Sequence, residues 1–181
     1  MSKSLNNLLP DHHFMEHHSI CVNSRIEDVF IYVARMDLSD SLVARILMYL
    51  WRSFVRIFVR DLPSKNLSVN DFIQLTFTPP YEISRGLIGG RVKPLDHKKI
   101  NNKIFKDFKQ DGCIKLVWAF WLTSMGQNKT IVHTETRVFC TDRITYFKFF
   151  IYWIIIRPWS GLIRIRLLKS IKKKSEKIIV Q

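Results

Sequence analysis

The sequence predicts a single α+β domain in which an antiparallel sheet packs around a long, strongly basic C-terminal helix. Strand-type alternation dominates the middle of the chain, from Phe72 to Cys140, and gives way to helical periodicity from Asp142 onward. Strands that follow one another through short turns favour a meander rather than parallel crossover units. With 181 residues, the chain is long enough for one core and short for two. Only the terminal helix is long enough to cover one face of such a sheet.

Charge is the unusual feature of the composition. The 29 Lys and Arg residues outnumber the 15 Asp and Glu residues, which leaves a formal net charge of +14. Because 47% of the residues are apolar and 24% are charged, the chain belongs with globular rather than disordered proteins. The positive excess favours contact with anionic surfaces and has no bearing on the fold.

Several features bear on the compartment, and together they predict a cytoplasmic protein. Residues 1–14 lack the continuous apolar segment of a secretory signal. The cysteines Cys21, Cys113 and Cys140 form no CxxC pair, so neither a disulfide framework nor a zinc cluster is expected. The longest apolar run, residues 149–156, is too short for a membrane span, which needs about 20 apolar residues.

The N-terminal third predicts a strand followed by two short helices. The strand covers His17–Val22, and Ser24 has the capping-box spacing to Glu27, so a helix is expected to begin there and to reach about Arg35. A second helix is predicted over Leu42–Val55, before a polar connector at residues 61–70. Residues 1–16 are predicted to form an N-terminal arm, and residues 17–178 a single domain.

The remaining strands are predicted from alternation and turn signals. They cover residues 72–77, 81–90 and, more weakly, 104–108, with a polar turn at residues 93–99. Two long strands follow at residues 113–124 and 129–140. If residues 125–129 connect them, one face of the hairpin is apolar and the other is mostly charged, as in a half-buried antiparallel sheet. On the apolar face we expect Leu122 opposite Val132, Phe120 opposite Thr134, Trp118 opposite Thr136, Leu116 opposite Val138 and Ile114 opposite Cys140.

Three segments carry a resemblance to a known superfamily. The segments are HHSICVNSRIEDVFIYVARMDLSDS, YEISRGLIGG and the stretch from HTETRVFCTD to RPWSGLIRIRLLKSIKKKSE. They are similar to an uncharacterised bacterial branch of the SRPBCC superfamily, and the resemblance extends from about His17 to Glu176. These are the START-like, polyketide-cyclase-like helix-grip proteins, whose fold is also called Bet v 1-like. The resemblance implies a curved sheet of about seven strands around the last helix. It also implies a cavity for small apolar or amphipathic molecules, and it identifies no catalytic residue.

The favoured interpretation is therefore non-enzymatic binding of a small hydrophobic or amphipathic ligand between the sheet and the helix, with no cofactor. Such a pocket combines apolar area with a few polar groups. The alternative is that the same residues pack the core. The predicted lining consists of Leu116, Trp118, Phe120, Leu122, Thr134, Thr136, Phe150 and Ile154.

Four polar residues are candidate anchors for a ligand, namely Arg85, His133, Glu135 and Arg137. Glu135 and Arg137 are two apart in a strand, so they share a side that faces away from the helix. A carboxylate, a guanidinium and an imidazole there could perform acid–base work in a cyclase- or hydrolase-like enzyme. The competing interpretation is a solvent-exposed ladder with a weak ion pair.

The C-terminal helix is basic, with eight Lys and Arg and one Glu between Arg157 and Lys177, a local charge of +7. Its buried stripe is predicted to contain Phe147, Ile151, Ile154, Gly161, Ile165 and Leu168. The outer face of the helix is either simply solvated or binds weakly to an anionic membrane surface. The residues in contact with the membrane surface would be Arg164, Arg166, Lys169, Lys172 and Lys173. No motif points to nucleic acid, and the oligomeric state is left open. Pro158 predicts a kink or break into two helical halves.

Two further patterns are predicted to be structural. His12, His13, His17 and His18 form an HHxxxHH array, but no Cys or carboxylate set completes it, so no metal site is expected. The glycines in RGLIGGR lack the ending of a phosphate-binding loop, and they are expected to mark a bulge or kink where the sheet curves.

Overall fold

The computed structural model describes residues 2–35, 72–90 and 100–177. The helix predicted over residues 42–55, the connector at 61–70 and the turn at 93–99 lie outside the described residues. The elements, in chain order, are α1 (Lys3–Leu8), β1 (Phe14–Val22), α2 (Ile26–Ala34), β2 (Ile73–Thr78), β3 (Glu82–Gly90), α3 (Asn102–Asp107), β4 (Cys113–Ser124), β5 (Thr130–Cys140) and α4 (Arg143–Glu176). Among the described helices, none combines the length and apolar character needed to cross a membrane.

The strands form one antiparallel sheet in the order β1-β5-β4-β3-β2, so β4 lies at its centre. The described residues supply five strands rather than the roughly seven that the resemblance implies. The predicted register of β4 and β5 is confirmed: Ser124 pairs with Thr130 and Leu122 with Val132, and the pairing continues without a shift to Ile114. The apolar and charged faces of the hairpin therefore divide as predicted.

The apolar face packs against α4, and we call it the helix side of the sheet. At one end Phe14 and Val138 pack with Phe149 and Tyr152 of α4. At the other end α2 and the second half of α4 cover β4 and β5. The α+β architecture, a curved antiparallel sheet that grips a long C-terminal helix, is thus the one predicted.

The opposite face, the far side, is covered as well. Leu5 and Leu8 of α1 and Phe105 of α3 pack on Val117 and Trp121 of the central strand. The N-terminal residues predicted to form an arm thus contribute to a second core, and β1 begins at Phe14, three residues before the predicted start.

The strand predicted at residues 104–108 is wrong, because this segment is helix α3. Phe105 is fully buried whereas Ile104 is exposed, and the Asn101 side chain accepts a hydrogen bond from the Ile104 N–H at 2.9 Å. Five weakly alternating residues are compatible with a strand and equally with a short capped helix. Contact with the far side of the sheet selects the helix.

The capping box predicted at Ser24 is also wrong. The residue before α2 is Arg25, and its side chain makes no capping hydrogen bond. Ser24 is instead buried, and its carbonyl accepts a hydrogen bond from the Thr130 hydroxyl at 2.8 Å. Tertiary contact with β5 has overridden the local signal, although Val29, Phe30 and Val33 face the core.

Helix α4 runs continuously through Pro158 for 34 residues, so the predicted break is wrong. A proline removes one N–H and leaves the carbonyl four residues earlier, that of Ile154, without its helical donor. Both residues lie on the exposed outer side of α4, where the sheet does not enclose that carbonyl. The helix therefore tolerates the proline.

The buried side of α4 also differs from the predicted stripe. Phe147, Ile151, Ile154 and Ile165 are exposed. The first half of the helix is apolar on every side, so periodicity alone could not choose which side packs on the sheet. The buried residues of α4 are Phe149, Tyr152, Ile156, Ser160, Arg164, Leu168, Ile171 and Ser175.

Two glycines of β3 lie at close approaches, and at Gly90 the neighbouring atoms belong to the backbone. Gly90 has φ +127°, and a Cβ there would collide with the Gly112 carbonyl and lie 2.6 Å from Cys113 Cα. At Gly86 a Cβ would lie 2.5 Å from Leu75 Cδ1. The bulge predicted at the glycines of β3 is not there, since β3 pairs with β4 without a shift; the register shift is in the neighbouring strand β2, between Gln74 and Thr76, and Leu75 lies against Gly86.

Asp142 joins the start of α4 to the start of β4. Its carboxylate accepts hydrogen bonds from the Thr145 N–H at 2.9 Å, the Thr145 hydroxyl at 2.6 Å and the Gly112 N–H at 2.6 Å. Burial raises the pKa of this carboxyl, but the hydrogen bonds outweigh burial and hold the pKa below its ordinary value.

Asp142→Ala is expected to lower the free energy of unfolding by about 1–2 kcal/mol at pH 7, because the helix loses its N-cap. Since the folded-state pKa is depressed, this contribution is complete above about pH 4 and is lost as the pH falls through the folded pKa. Urea unfolding at neutral and acidic pH should show the two proteins converging in acid. A difference that persists unchanged at low pH would contradict this assignment.

Candidate functional site

A polar cluster joins α4 to β1 on the helix side of the sheet. Oε2 of Glu16 accepts hydrogen bonds from the Ser160 hydroxyl at 2.9 Å and from Arg164 Nη1 at 2.6 Å. Arg164 Nη2 donates to the Thr136 hydroxyl at 2.8 Å, and His18 Nε2 lies 3.0 Å from Glu16 Oε1. We call Glu16, His18, Thr136, Ser160 and Arg164 the helix-side polar cluster.

The central ion pair of this cluster is shielded from water. The side chains of Arg164 and Glu16 are only 11% and 9% exposed. Burial lowers the pKa of the Arg164 guanidinium, and the charge and hydrogen bond of Glu16 oppose that shift. Arg164 was predicted to contact an anionic surface, which is wrong because its charge is paired inside the protein.

Local geometry assembles the cluster. Alternation in β1 places Glu16 and His18 on the helix side, and the four-residue spacing of Ser160 and Arg164 places both on one face of α4. Gly161 allows the close approach, since a Cβ there would lie 3.1 Å from Glu16 Oε1. Sequence reasoning missed Glu16 because it assigned that residue to the arm, although Arg164 and Ser160 lie in the RPWSGLIR motif.

The predicted pocket residues of the hairpin all lie on the helix side, but they differ in burial. Phe120, Leu122, Thr134 and Thr136 are buried in the core. In contrast, Leu116 and Trp118 are only half-buried.

Arg85, a predicted anchor, is also half-buried and pairs with Trp118 across β3 and β4. The Trp118 indole N–H donates to the Thr134 hydroxyl at 2.8 Å. Arg85, Leu116 and Trp118 thus form a partly open central strip on the helix side.

The other two predicted pocket residues lie elsewhere. Phe150 is 42% exposed and stands near the rings of Phe14 and Tyr146, and Ile154 is 57% exposed on the outer side of α4. Neither is enclosed between the helix and the sheet. Both predictions are wrong because a different side of α4 packs on the sheet.

The predicted polar anchors of β5 lie on the far side of the sheet, away from α4 as expected. Glu135 and Arg137 are buried there, so the exposed-ladder interpretation is wrong. Arg137 Nε donates to Glu135 Oε1 at 2.6 Å, and Arg137 Nη1 donates to the Leu9 carbonyl at 3.2 Å, just beyond α1. The pair therefore ties the N-terminal segment to the sheet.

His133 lies beside this pair. Its ring stacks on Trp121, with centroids 4.8 Å apart, and lies 5.6 Å from the ring of His17. Burial, and then the neighbouring His17, lower the pKa of His133. The side chain is therefore neutral at neutral pH, and it does not reach the helix side.

The four histidines of the N-terminal array do not converge. His17 faces the far side and His18 the helix side, while Nδ1 of His13 accepts a hydrogen bond from the Cys140 N–H at 2.9 Å. Within the described residues, no group of three or more His, Cys, Asp or Glu side chains is arranged to hold a metal ion.

The remaining predicted surface cations fall into two groups. Arg166, Lys169 and Lys173 are exposed. Lys172 instead donates to the Cys21 carbonyl at 3.0 Å and lies 3.7 Å from Glu176.

No family model and no curated protein matches the sequence. Among solved structures, the chain aligns with a conserved protein from Geobacillus kaustophilus at 12% identity and a TM-score of 0.46, over 91% of this chain and 96% of that chain. It also aligns with norcoclaurine synthase from Thalictrum flavum, solved with dopamine and hydroxybenzaldehyde, at 11% identity and a TM-score of 0.34, over 91% and 87%. At this level of similarity the helix-grip architecture rests on the strand pairing and helix packing described above.

Proposed function

We propose that this protein binds a small apolar or amphipathic ligand, without catalysis, against the central strip of Arg85, Leu116 and Trp118. The supporting observation is the incomplete burial of Leu116 and Trp118 at the centre of the sheet. The centre of a sheet face that packs on a helix is normally the best-covered part of a core.

The neighbours of these two residues are fully covered. Thr134 and Val138 on β5 are 0% exposed, and Ile114 and Phe120 on β4 are 4% and 5% exposed. Helix α4 packs over β1 and β5, and α2 packs over one end of β4. The described helices therefore leave Leu116 and Trp118 in the middle of β4 only partly covered, and burial of the remaining apolar surface by a ligand would be favourable by about 25 cal/mol per Å² of apolar area.

Arg85 supplies the polar component of the proposed site. Arg85 is paired with Trp118 in the sheet register, and its guanidinium group suits an anionic group on an otherwise apolar ligand. The proposal therefore favours an amphipathic molecule with an acidic end.

A cyclase- or hydrolase-like activity would need His133, Glu135 or Arg137 on the helix side, and all three project from the far side. On the helix side, the carboxylate of Glu16 is engaged by Ser160 and Arg164. We therefore favour binding over catalysis.

The assignment of this chain to one branch of a superfamily belongs to the same proposal. Membership of the uncharacterised bacterial branch of the SRPBCC superfamily is inferred from HTETRVFCTD and RPWSGLIR. A single domain and a cytoplasmic location are inferred with it.

Native mass spectrometry of the purified protein, with organic extraction of the same sample, tests the proposal. A bound species of small-molecule mass is expected in the wild type. Leu116→Trp should fill the strip and reduce the bound fraction by about tenfold, since extra volume competes directly with the ligand. Thr123→Trp adds an indole to the same strand at an exposed far-side position and serves as the matched control.

Retention of ligand by the Leu116→Trp variant would place binding elsewhere. The dye anilinonaphthalene sulfonate should bind to the wild type, and Leu116→Trp should abolish that binding. The proposal would be rejected if no bound species is found and the wild type shows no such dye binding.

A further inference from the structure

The outer face of α4 is apolar although it is exposed. Eight large apolar side chains on this face are between 39% and 69% exposed. They recur three or four residues apart, which keeps them on one side of the helix. We call this set the outer apolar face: Ile144, Phe147, Ile151, Ile154, Ile155, Trp159, Leu162 and Ile165.

An exposed apolar row of this size requires a partner. Soluble monomers rarely expose contiguous apolar patches of more than a few hundred Å², and a helix that is apolar on all sides is normally buried on all sides. From Ile144 to Ile165 the row is about 32 Å long, at about 1.5 Å per residue. Such a row is longer than a small-molecule site needs, and it suits an extended surface.

Charge identifies the kind of surface. Arg166, Lys169 and Lys173 continue the same side of the helix beyond Ile165, and all three are exposed. No Asp or Glu occurs in α4 before Glu176. A partner must therefore offer apolar material along the first part of the helix and negative charge along the last part.

We propose that α4 docks in the plane of an anionic lipid bilayer, with its outer apolar face in the acyl boundary and Arg166, Lys169 and Lys173 among the headgroups. Amphipathic helices bind membranes in this orientation, and tryptophan favours the interfacial depth, which suits Trp159. A second copy of the chain fits less well, because two strongly basic helices would be brought together. The proposal is independent of ligand binding at the central strip.

Cosedimentation of the full-length protein with vesicles tests the docking. The protein should sediment with phosphatidylcholine vesicles that contain about 30% phosphatidylserine, and binding should weaken as salt is raised. Ile155→Ser/Trp159→Ser should weaken binding by about tenfold or more, because it removes apolar area from the face. Met125→Ser, at an exposed apolar residue of the β4–β5 hairpin, should bind like the wild type.

The charged part of the face has its own variant. Arg166→Glu/Lys169→Glu/Lys173→Glu should weaken binding to the anionic vesicles by about tenfold or more. Lys129→Glu, a single charge reversal at an exposed hairpin lysine, should bind nearly like the wild type and serves as the control. Quenching of tryptophan fluorescence by brominated lipids should be lost in Trp159→Phe, a variant that still sediments.

Three results would overturn the proposal. The first is failure of the wild type to sediment with the anionic vesicles, and the second is equal binding by the two face variants and their controls. The third is a concentration-dependent dimer in analytical ultracentrifugation that Ile155→Ser/Trp159→Ser abolishes, which would make the face a self-association surface.

Discussion

Replacing Glu16 with Met is expected to lower the free energy of unfolding by about 3–5 kcal/mol, because the charge of Arg164 is then left buried without its partner. The two groups are 2.6 Å apart, and their side chains are almost completely shielded from water. Arg164→Met should have a similar effect, since it leaves the carboxylate in the same environment. Urea unfolding followed by circular dichroism measures both.

The double variant Glu16→Met/Arg164→Met separates charge pairing from packing. With no buried charge left, it should be much more stable than the sum of the two single losses predicts. Lys172→Met is the control on the same helix. Its ion pair with Glu176 is partly exposed, so the loss should stay below about 1 kcal/mol. Additive single effects, or a Glu16→Met loss no larger than that of Lys172→Met, would show that the pair does not stabilise the fold.

Gly90→Ala is expected to cost at least about 3 kcal/mol, because a backbone conformation unfavourable for other residues combines with a steric collision. Its φ is +127°, and its missing Cβ would meet the backbone of Gly112 and Cys113, which cannot rotate away as a side chain can. Thermal and urea denaturation measure the loss.

Gly126 provides the matched comparison. Its φ is +126°, but no atom lies within 4 Å of an added Cβ. Gly126→Ala should therefore cost only the conformational part, about 1 kcal/mol. Equal losses at the two positions would mean that the close approach of β3 to the start of β4 contributes nothing.

The residues of the β4–β5 hairpin show how far sequence reasoning reaches. A strand alternates sides with a period of two, so a shift by one residue would move Leu122 and Trp118 from the core to the other face. One register alone is compatible with that pattern, and the structure has it. The helical C-terminal segment was predicted for the same reason, through the helical period that begins at Asp142.

The candidate site was only half predictable. Its sheet residues Leu116 and Trp118 follow from alternation, but their partial exposure depends on where α4 crosses the sheet. The pairing of Glu16 with Arg164 joins positions that are far apart in the chain. No local pattern links them, since nothing in β1 specifies which turn of α4 will lie above it.

By itself the sequence determined the α+β class, the hairpin register and the presence of a long basic helix, because these depend on periodicities that each segment carries alone. Only the tertiary structure decided which side of α4 faces the sheet and which remains outside. Because the first half of α4 is apolar on every side, that choice is made by the few positions where Ser160, Gly161 and Arg164 meet the sheet. The same choice leaves the outer apolar face exposed.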